Sequence, residues 1–439
     1  YSSKTKIPSL SCIPNYRLIL TFAGGACATQ HLRFNLPNVI SPTPFKLEVD
    51  QDIINFAKDR ASTFRVTQSL YPNFTTEGGS TDKMSELAKY WAEEYDWDAQ
   101  LAKINQLQHF ATTVPGNRAY DAPIPLHFTH HPSPNKTAIP LLFIHGWPSS
   151  HLEWVKLIEP LSDAFHIIAA DMPGFGFSPA PTLPGLGPRE IGIAFDSMMK
   201  QLGYETYGTV ITDAGWLVGQ WMAIDVADSL IGYLTDFQLN FVTDEDLERM
   251  AKNETTAEEN DYIESTLAFI NNHFAYSSIQ GQKPLTLGWA MADSPVGVAG
   301  WYWDLRQLSS AGYDYSYDEI ITDTLVNWIQ DPYGNFRIYV ESLKPEIINF
   351  PKSNVPAGIT QWSLEGGPFP ELAKFAFAVS ITPPPIVLLV KLNPQQPRDW
   401  AERTANVVFF RRHDFGGHFP GLHAPDAFAE DIRAFYFGL

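Results

Sequence analysis

"YGTVITDAGWLVGQWMAIDVA", residues 207–227, decides the fold. A short run of apolar and β-branched residues leads into Thr212-Asp213-Ala214-Gly215, and a stretch with helical spacing follows. A strand that turns sharply into a helix holds the side chain at the turn in an exposed position beside backbone N–H groups. Asp213 stands at that turn, so a carboxylate occupies the place of an attacking group. The plainer alternative is that Asp213 only N-caps the helix.

Working outward, "IPLLFI" (139–144) and "FHIIAA" (165–170) repeat the pattern of an apolar run, a Gly or Pro, and a helix-like segment. "PIVLLV" (385–390) and "NVVFF" (406–410) resume it near the end. Runs apolar on both faces that alternate with helices predict a mostly parallel sheet. Upstream, "PFKLEVDQDIINFAKDRA" and "MSELAKYWAEEYDWDAQLAKINQL" have the three-and-four spacing of two amphipathic helices. Residues 240–345 are rich in Trp and Tyr and too long for a loop, which predicts a helical lid over the C-terminal edge of the sheet. The expected organisation is an extension over 1–40, a helical arm over 41–110, a core over 111–239, the lid over 240–345, and the rest of the core over 346–439.

Forty-nine acidic residues against 30 basic ones leave a formal charge of −19, which speaks against nucleic acid or an anionic membrane as a partner. No run of eighteen apolar residues is present to span a bilayer; "LILTFAGGACAT" (18–29) is too short, although it resembles the core of a signal peptide. The chain starts at Tyr1, as if a signal had been removed or the chain trimmed. Cys12 and Cys27 are the only cysteines, and sequons stand at Asn73, Asn135 and Asn253. With the acidity, these point to a secreted or secretory-pathway protein with one disulfide. Reduced thiols and chance sequons in a cytoplasmic protein are the alternative.

Two further stretches complete a site. "FIHGWPSS" (143–150) sits at a strand end, where Trp147 and Ala214 offer backbone N–H groups to a developing oxyanion. "HDFGGHFPGLHAP" (413–425) follows the last strand, and a His after the nucleophile in chain order is the expected base. His418 is the candidate and His413 the poorer one. Asp171 in "DMPGFGFSPAP" reads as a turn residue.

These stretches together resemble the epoxide hydrolase family of the α/β-hydrolase superfamily, in its microsomal and fungal branch with an N-terminal helical arm. The resemblance runs from Pro44 to the C-terminus. It rests on "YWAEEYDWDAQLAKINQLQHF", "IPLLFIHGWPSS", "DMPGFGFSPAP", "KPLTLGWAMADSPVGVAGW", "PRDWAERTANVVFF" and "GGHF" in that order. It implies that Asp213 attacks an epoxide carbon to form an ester, and that His418 activates the water which releases a diol. By position it implies that Tyr276, in "HFAYSSIQGQKP", and Tyr339, in "FRIYVES", hydrogen-bond the epoxide oxygen. His145, Trp216 and Leu392 are expected on the pocket wall. No metal or other cofactor is expected, and a homodimer is compatible with the arm.

The pattern departs from the family in two places. Ile211, Thr212 and Trp216 stand where small residues are usual. Counted back from "PRDW", the acid that would orient His418 falls on Leu392, with Asn393 beside it; the other known position, in "LTDFQLNF", offers Gln238 and Asn240. The expected function is therefore the opening of an epoxide on a bulky apolar molecule such as a terpenoid or polyketide. One alternative is a non-hydrolytic cyclase or isomerase using the same pocket, and another is a binding protein without turnover.

Overall fold

In the computed structural model, residues 34–71, 77–310, 313–363 and 396–439 are described. Cys12, Cys27, Asn73, Leu392, Asn393 and the run 385–390 lie outside them.

Nine strands form one sheet among the described residues: β1 (Thr43–Pro44), β2 (His109–Val114), β3 (Ile124–His131), β4 (Ile139–Ile144), β5 (Phe165–Ala170), β6 (Tyr207–Ile211), β7 (Leu230–Thr235), β8 (Pro356–Gln361) and β9 (Asn406–Arg412). Their spatial order is β1-β2-β3-β5-β4-β6-β7-β8-β9. The first three pair antiparallel, β3 meets β5 antiparallel, and every pair from β5 to β9 is parallel. This is the α/β-hydrolase fold that the 207–227 stretch predicted. The runs of β4, β5 and β6 are apolar on both faces because both are covered. On one face, Leu141, Phe143, Ile167, Val210 and Leu234 pack against Phe428, Ile432 and Phe435 of the C-terminal helix Pro425–Tyr436. Tyr436 lies against Gly208 of β6 and donates its hydroxyl to the Thr209 carbonyl at 2.7 Å, a contact open only to a residue without a side chain at 208.

The strand that pairs with β9 is β8, with Pro356 opposite Asn406 and Gln361 opposite Arg412. Sequence reading passed over "PAGITQ", because Pro and Gly interrupt its apolar pattern, and chose 385–390 as the strand preceding "NVVFF". The loop that leaves the neighbour of β9 therefore begins at Trp362.

The arm holds three helices rather than two: Gln51–Ser62, Thr81–Glu93 and Trp97–Ile104. The second predicted segment breaks at Asp96, whose side chain accepts from the Ala99 N–H at 3.0 Å and starts a new helix. The arm docks on the same chain. Tyr90 and Gln100 both donate to Asp318 at 2.9 Å, and Tyr95 meets Thr322 at 2.9 Å, on the helix Tyr317–Trp328. That helix belongs to a series inserted between β7 and β8, from Asp244–Ala251 to Pro345–Ile348. Among the described residues no helix is long and apolar enough to cross a membrane. Asn135 and Asn253 are exposed.

Candidate active site

The turn between β6 and the helix Asp213–Asp225 sets the geometry. Asp213 has a φ of 45°, in the left-handed region that a non-glycine residue enters only at a cost of about 1–3 kcal/mol. The strain is sustained by tight packing. A side chain at Gly146 would collide with Asp213, and one at Gly215 with the carbonyl oxygens of Ile144 and His145. The carboxylate is thereby pressed against the loop after β4, where the Trp147 N–H donates to Oδ1 at 2.8 Å. Its other oxygen, Oδ2, lies 3.5 Å from His418 Nε2. The N-cap alternative is set aside on this geometry: Thr212 holds the cap position of that helix, and Asp213 is its first residue.

Tyr276, on the helix Ala275–Gln282, and Tyr339, on the helix Tyr333–Ser342, come together above Asp213. Their rings stand nearly perpendicular with centroids 6.0 Å apart, and their hydroxyls share a hydrogen bond. The Trp147 ring supports both, stacked on Tyr276 at 5.2 Å and edge-on to Tyr339 at 6.0 Å. Trp147 is fixed in turn by its indole N–H, which donates to Asn335 Oδ1 at 3.1 Å. Burial pushes both phenols well above their ordinary range, and the negative charge of Asp213 adds to the effect, so both are neutral proton donors at any physiological pH.

Asp213, Ala214, Tyr276, Tyr339 and His418 line a chamber of about 230 Å³. Most of its remaining wall is apolar, including Phe237, Phe241, Phe269, Phe274 and Leu305. Trp216 is on the wall as expected, with its indole N–H donating to Gln238 at 3.1 Å. His145 is not. It is fully buried behind the loop, where Nδ1 meets the Gly146 carbonyl at 2.9 Å and Nε2 accepts from the Met172 N–H at 3.2 Å. A polar ring next to the reactive turn suggested a wall position, but its two backbone partners turn it inward.

His418 is held by its own N–H, which donates to the Ser309 carbonyl at 2.9 Å, and its ring packs edge-on against Phe237 and Phe419. His413, the poorer candidate, is bonded to Asp431 at 2.7 Å and stacked on Trp362. Asp171, read as a turn residue, follows directly on β5 and is fully buried. Two acidic groups that no sequence motif marks lie here, one lining the chamber and one buried outside its lining. Asp236 follows directly on β7, where the end of a parallel strand reaches the ligand edge. Glu153, four residues beyond the oxyanion loop's Ser149, is buried close enough to His418 and Asp213 to feel both charges.

The segment after β8 runs beside the His418 loop. The His413 N–H donates to the Gln361 carbonyl at 2.8 Å, the Ser363 N–H to the Phe415 carbonyl at 3.2 Å, and the Ser363 hydroxyl to the Gly416 carbonyl at 3.1 Å. Gln361 and Trp362 line the chamber together with His418. The search for an orienting acid thus starts after Ser363 and not near Leu392. Glu365 stands two positions on in the sequence and lies outside the described residues. Gln238 and Asn240 are otherwise engaged, with Trp216 and with the Trp400 carbonyl.

Comparison with known proteins agrees with this arrangement. Residues 42–154 match the family model described as the epoxide hydrolase N terminus, and residues 139–223 match the alpha/beta hydrolase fold. A juvenile hormone epoxide hydrolase of Manduca sexta is 27% identical over 89% of this chain and 85% of its own length. Epoxide hydrolase 1 of Sus scrofa is 27% identical over 89% of this chain and 88% of its own. By these matches the chain is similar to the epoxide hydrolase family of the α/β-hydrolase superfamily. The crystal structure of the Bombyx mori juvenile hormone epoxide hydrolase shares the fold with a TM-score of 0.76 at 22% identity, covering 93% of this chain and 98% of the other. Ile211 and Trp216, which stand where the resemblance leads one to expect small residues, are both buried.

Proposed function

We propose that this enzyme opens the epoxide of a bulky apolar molecule through an ester on Asp213 and then hydrolyses that ester to a diol. The observation that carries the reading is the asymmetry of the carboxylate. Oδ1 is engaged by the Trp147 N–H, while Oδ2 faces His418 under the two phenols. Oδ2 is therefore the attacking atom. As it bonds to carbon, the ring C–O bond breaks and the Tyr276–Tyr339 pair supplies a proton to the alkoxide. The ester carbonyl oxygen is then Oδ1, already on the Trp147 N–H. His418 takes a proton from water, the hydroxide adds to the Asp213 carboxyl carbon, and the charge that develops on Oδ1 is stabilised there and by the neighbouring Ala214 N–H. Collapse expels the diol oxygen, which takes the proton held by His418, and the proton left on the carboxyl returns to the phenol pair, regenerating the carboxylate.

The apolar wall supports a lipophilic substrate such as a terpenoid or polyketide, and the names of the juvenile hormone epoxide hydrolases accord with that class. Hydrolysis is preferred over ring closure because Leu392, reached by counting back from "PRDW", is expected on a loop following 385–390, whereas the neighbour of β9 is β8. We assign the orienting role to Glu365, on its place in the sequence just past the segment laced to the His418 loop.

The test is to incubate the His418→Gln variant with a lipophilic epoxide and weigh the protein. The expected result is a stoichiometric adduct that maps to the peptide carrying Asp213 and is absent from Asp213→Ala. An unmodified protein that still consumes epoxide would overturn the reading.

A further inference from the structure

Away from the chamber, three histidines converge in the interior. His109 opens β2, His127 lies in β3, and His151 opens the short helical turn His151–Trp154 that follows the oxyanion loop. All three are buried, and one ring nitrogen of each lies within 4.8 Å of the other two. Asp171, also fully buried, sits beside them.

The far nitrogens of the three rings fix their tautomers. His127 Nδ1 is 2.7 Å from Asp171 Oδ2, and His151 Nδ1 is 3.0 Å from both oxygens of Asp171. Asp171 also accepts from the backbone N–H groups of His151 and Phe177, each at 2.8 Å, so it acts as an ionised acceptor. His109 Nε2 is 2.9 Å from the Ile104 carbonyl, which can only accept. Each far nitrogen therefore carries the ring proton, and the near nitrogens, His109 Nδ1, His127 Nε2 and His151 Nε2, present lone pairs. Two of these lone pairs face each other at 2.9 Å. The third, on His151 Nε2, is buried with no hydrogen-bond partner. Unsatisfied buried nitrogens and opposed lone pairs both cost free energy unless an electron-pair acceptor stands among them.

We propose that His109, His127 and His151 form a structural binding site for a divalent transition ion of the zinc class. A single bridging proton would reconcile His109 with His127 but leave His151 Nε2 orphaned; a metal ion satisfies all three. The donor set is all imidazole, which suits zinc or cobalt and not magnesium or calcium. Zinc–nitrogen bonds of about 2.0–2.1 Å place tetrahedral ligand atoms about 3.3 Å apart, so the His109–His127 pair parts by about 0.4 Å and His151, whose nitrogen lies within 4.8 Å of the others, moves in by at most about 1.5 Å. The outer shell is in place, since ligating imidazoles characteristically donate their second N–H to a carboxylate or backbone carbonyl, as all three rings do here. On binding, the ion displaces the proton that would otherwise bridge His109 and His127. The ligands stand at 109, 127 and 151 without any short spacing, which is why the sequence gives no metal signature. The ion would tie β2, β3 and the end of β5 to the turn that follows Trp147, bracing the oxyanion loop from behind.

The experiment uses the full chain, expressed in zinc-supplemented and in cobalt-supplemented medium, passed over a chelating resin and measured by elemental mass spectrometry and visible absorption. The expected result is about one ion per chain that survives the resin, visible ligand-field bands in the cobalt form, and loss of both in His151→Phe, with a lower melting temperature. Metal-free wild-type protein from both media would overturn the proposal, and so would an ion retained equally by His151→Phe. If that variant does not fold, the ion content and the cobalt spectrum of the wild-type protein decide alone.

Discussion

The Trp147 N–H donates to Asp213 Oδ1 at 2.8 Å while Asp213 Oδ2 faces His418 Nε2 at 3.5 Å, so the two oxygens of one carboxylate have separate surroundings. One is held where an oxyanion would form and the other is turned toward the base. The positive φ at Asp213 and the bare Gly146 and Gly215 are the structural means to this end.

The two phenols should act as a pair. Each is neutral, and each is hydrogen-bonded to the other, so one can substitute in part for its partner. Tyr276→Phe and Tyr339→Phe are each expected to slow ester formation about 10- to 100-fold, and the double variant by on the order of 10³ or more. Rapid-quench measurement of ester formation checks this. A double variant no slower than either single one would assign the proton to another group.

Glu365→Gln should separate the two half-reactions. On the proposed mechanism, epoxide opening needs Asp213 and the phenols, whereas ester hydrolysis needs an oriented His418. The variant is expected to form ester at the normal rate and to release diol more slowly, by up to about 10⁴-fold. Leu392→Ala should change neither step by more than a few-fold. A release defect at Leu392 and none at Glu365 would restore the count back from "PRDW".

Glu153 gives stability a pH dependence. Burial raises its carboxyl from the ordinary 4.5 to about 7, against the opposing pull of His418 and Arg306. The folded value lies above the unfolded one, so the stabilisation is fully present below about pH 4.5 and is lost as pH rises through about 7. Glu153→Gln, neutral at every pH, should gain on the wild type by on the order of 3 kcal/mol across that window. Urea unfolding at pH 4.5 and pH 8 measures the difference, and a constant difference would contradict the assignment.

The fold was legible because its decisive segments are local. "YGTVITDAGW" carries the strand, the turn and the start of the helix within ten residues, and a period of two or of 3.6 needs no distant information. Asp213, His418, Tyr276 and Tyr339 line one chamber, and each stands beside a motif. What failed was non-local. "PAGITQ" does not look like a central strand until β7 and β9 flank it, and its omission shifted the acid search by almost thirty residues to Leu392. His145 was assigned to the wall from adjacency in sequence, whereas its partners Gly146 and Met172 turn it inward. Asp171 and its three histidines converge from four separate segments, and no pattern along the chain announces that meeting.

The most direct measurement is a single turnover in ¹⁸O-labelled water with enzyme in excess over a lipophilic epoxide. The account predicts that the diol of this first turnover carries no label, because its new oxygen is Asp213 Oδ2, and that the peptide bearing Asp213 gains one ¹⁸O. Label found in the first diol and none in Asp213 would mean that water attacks the epoxide directly, which contradicts the account.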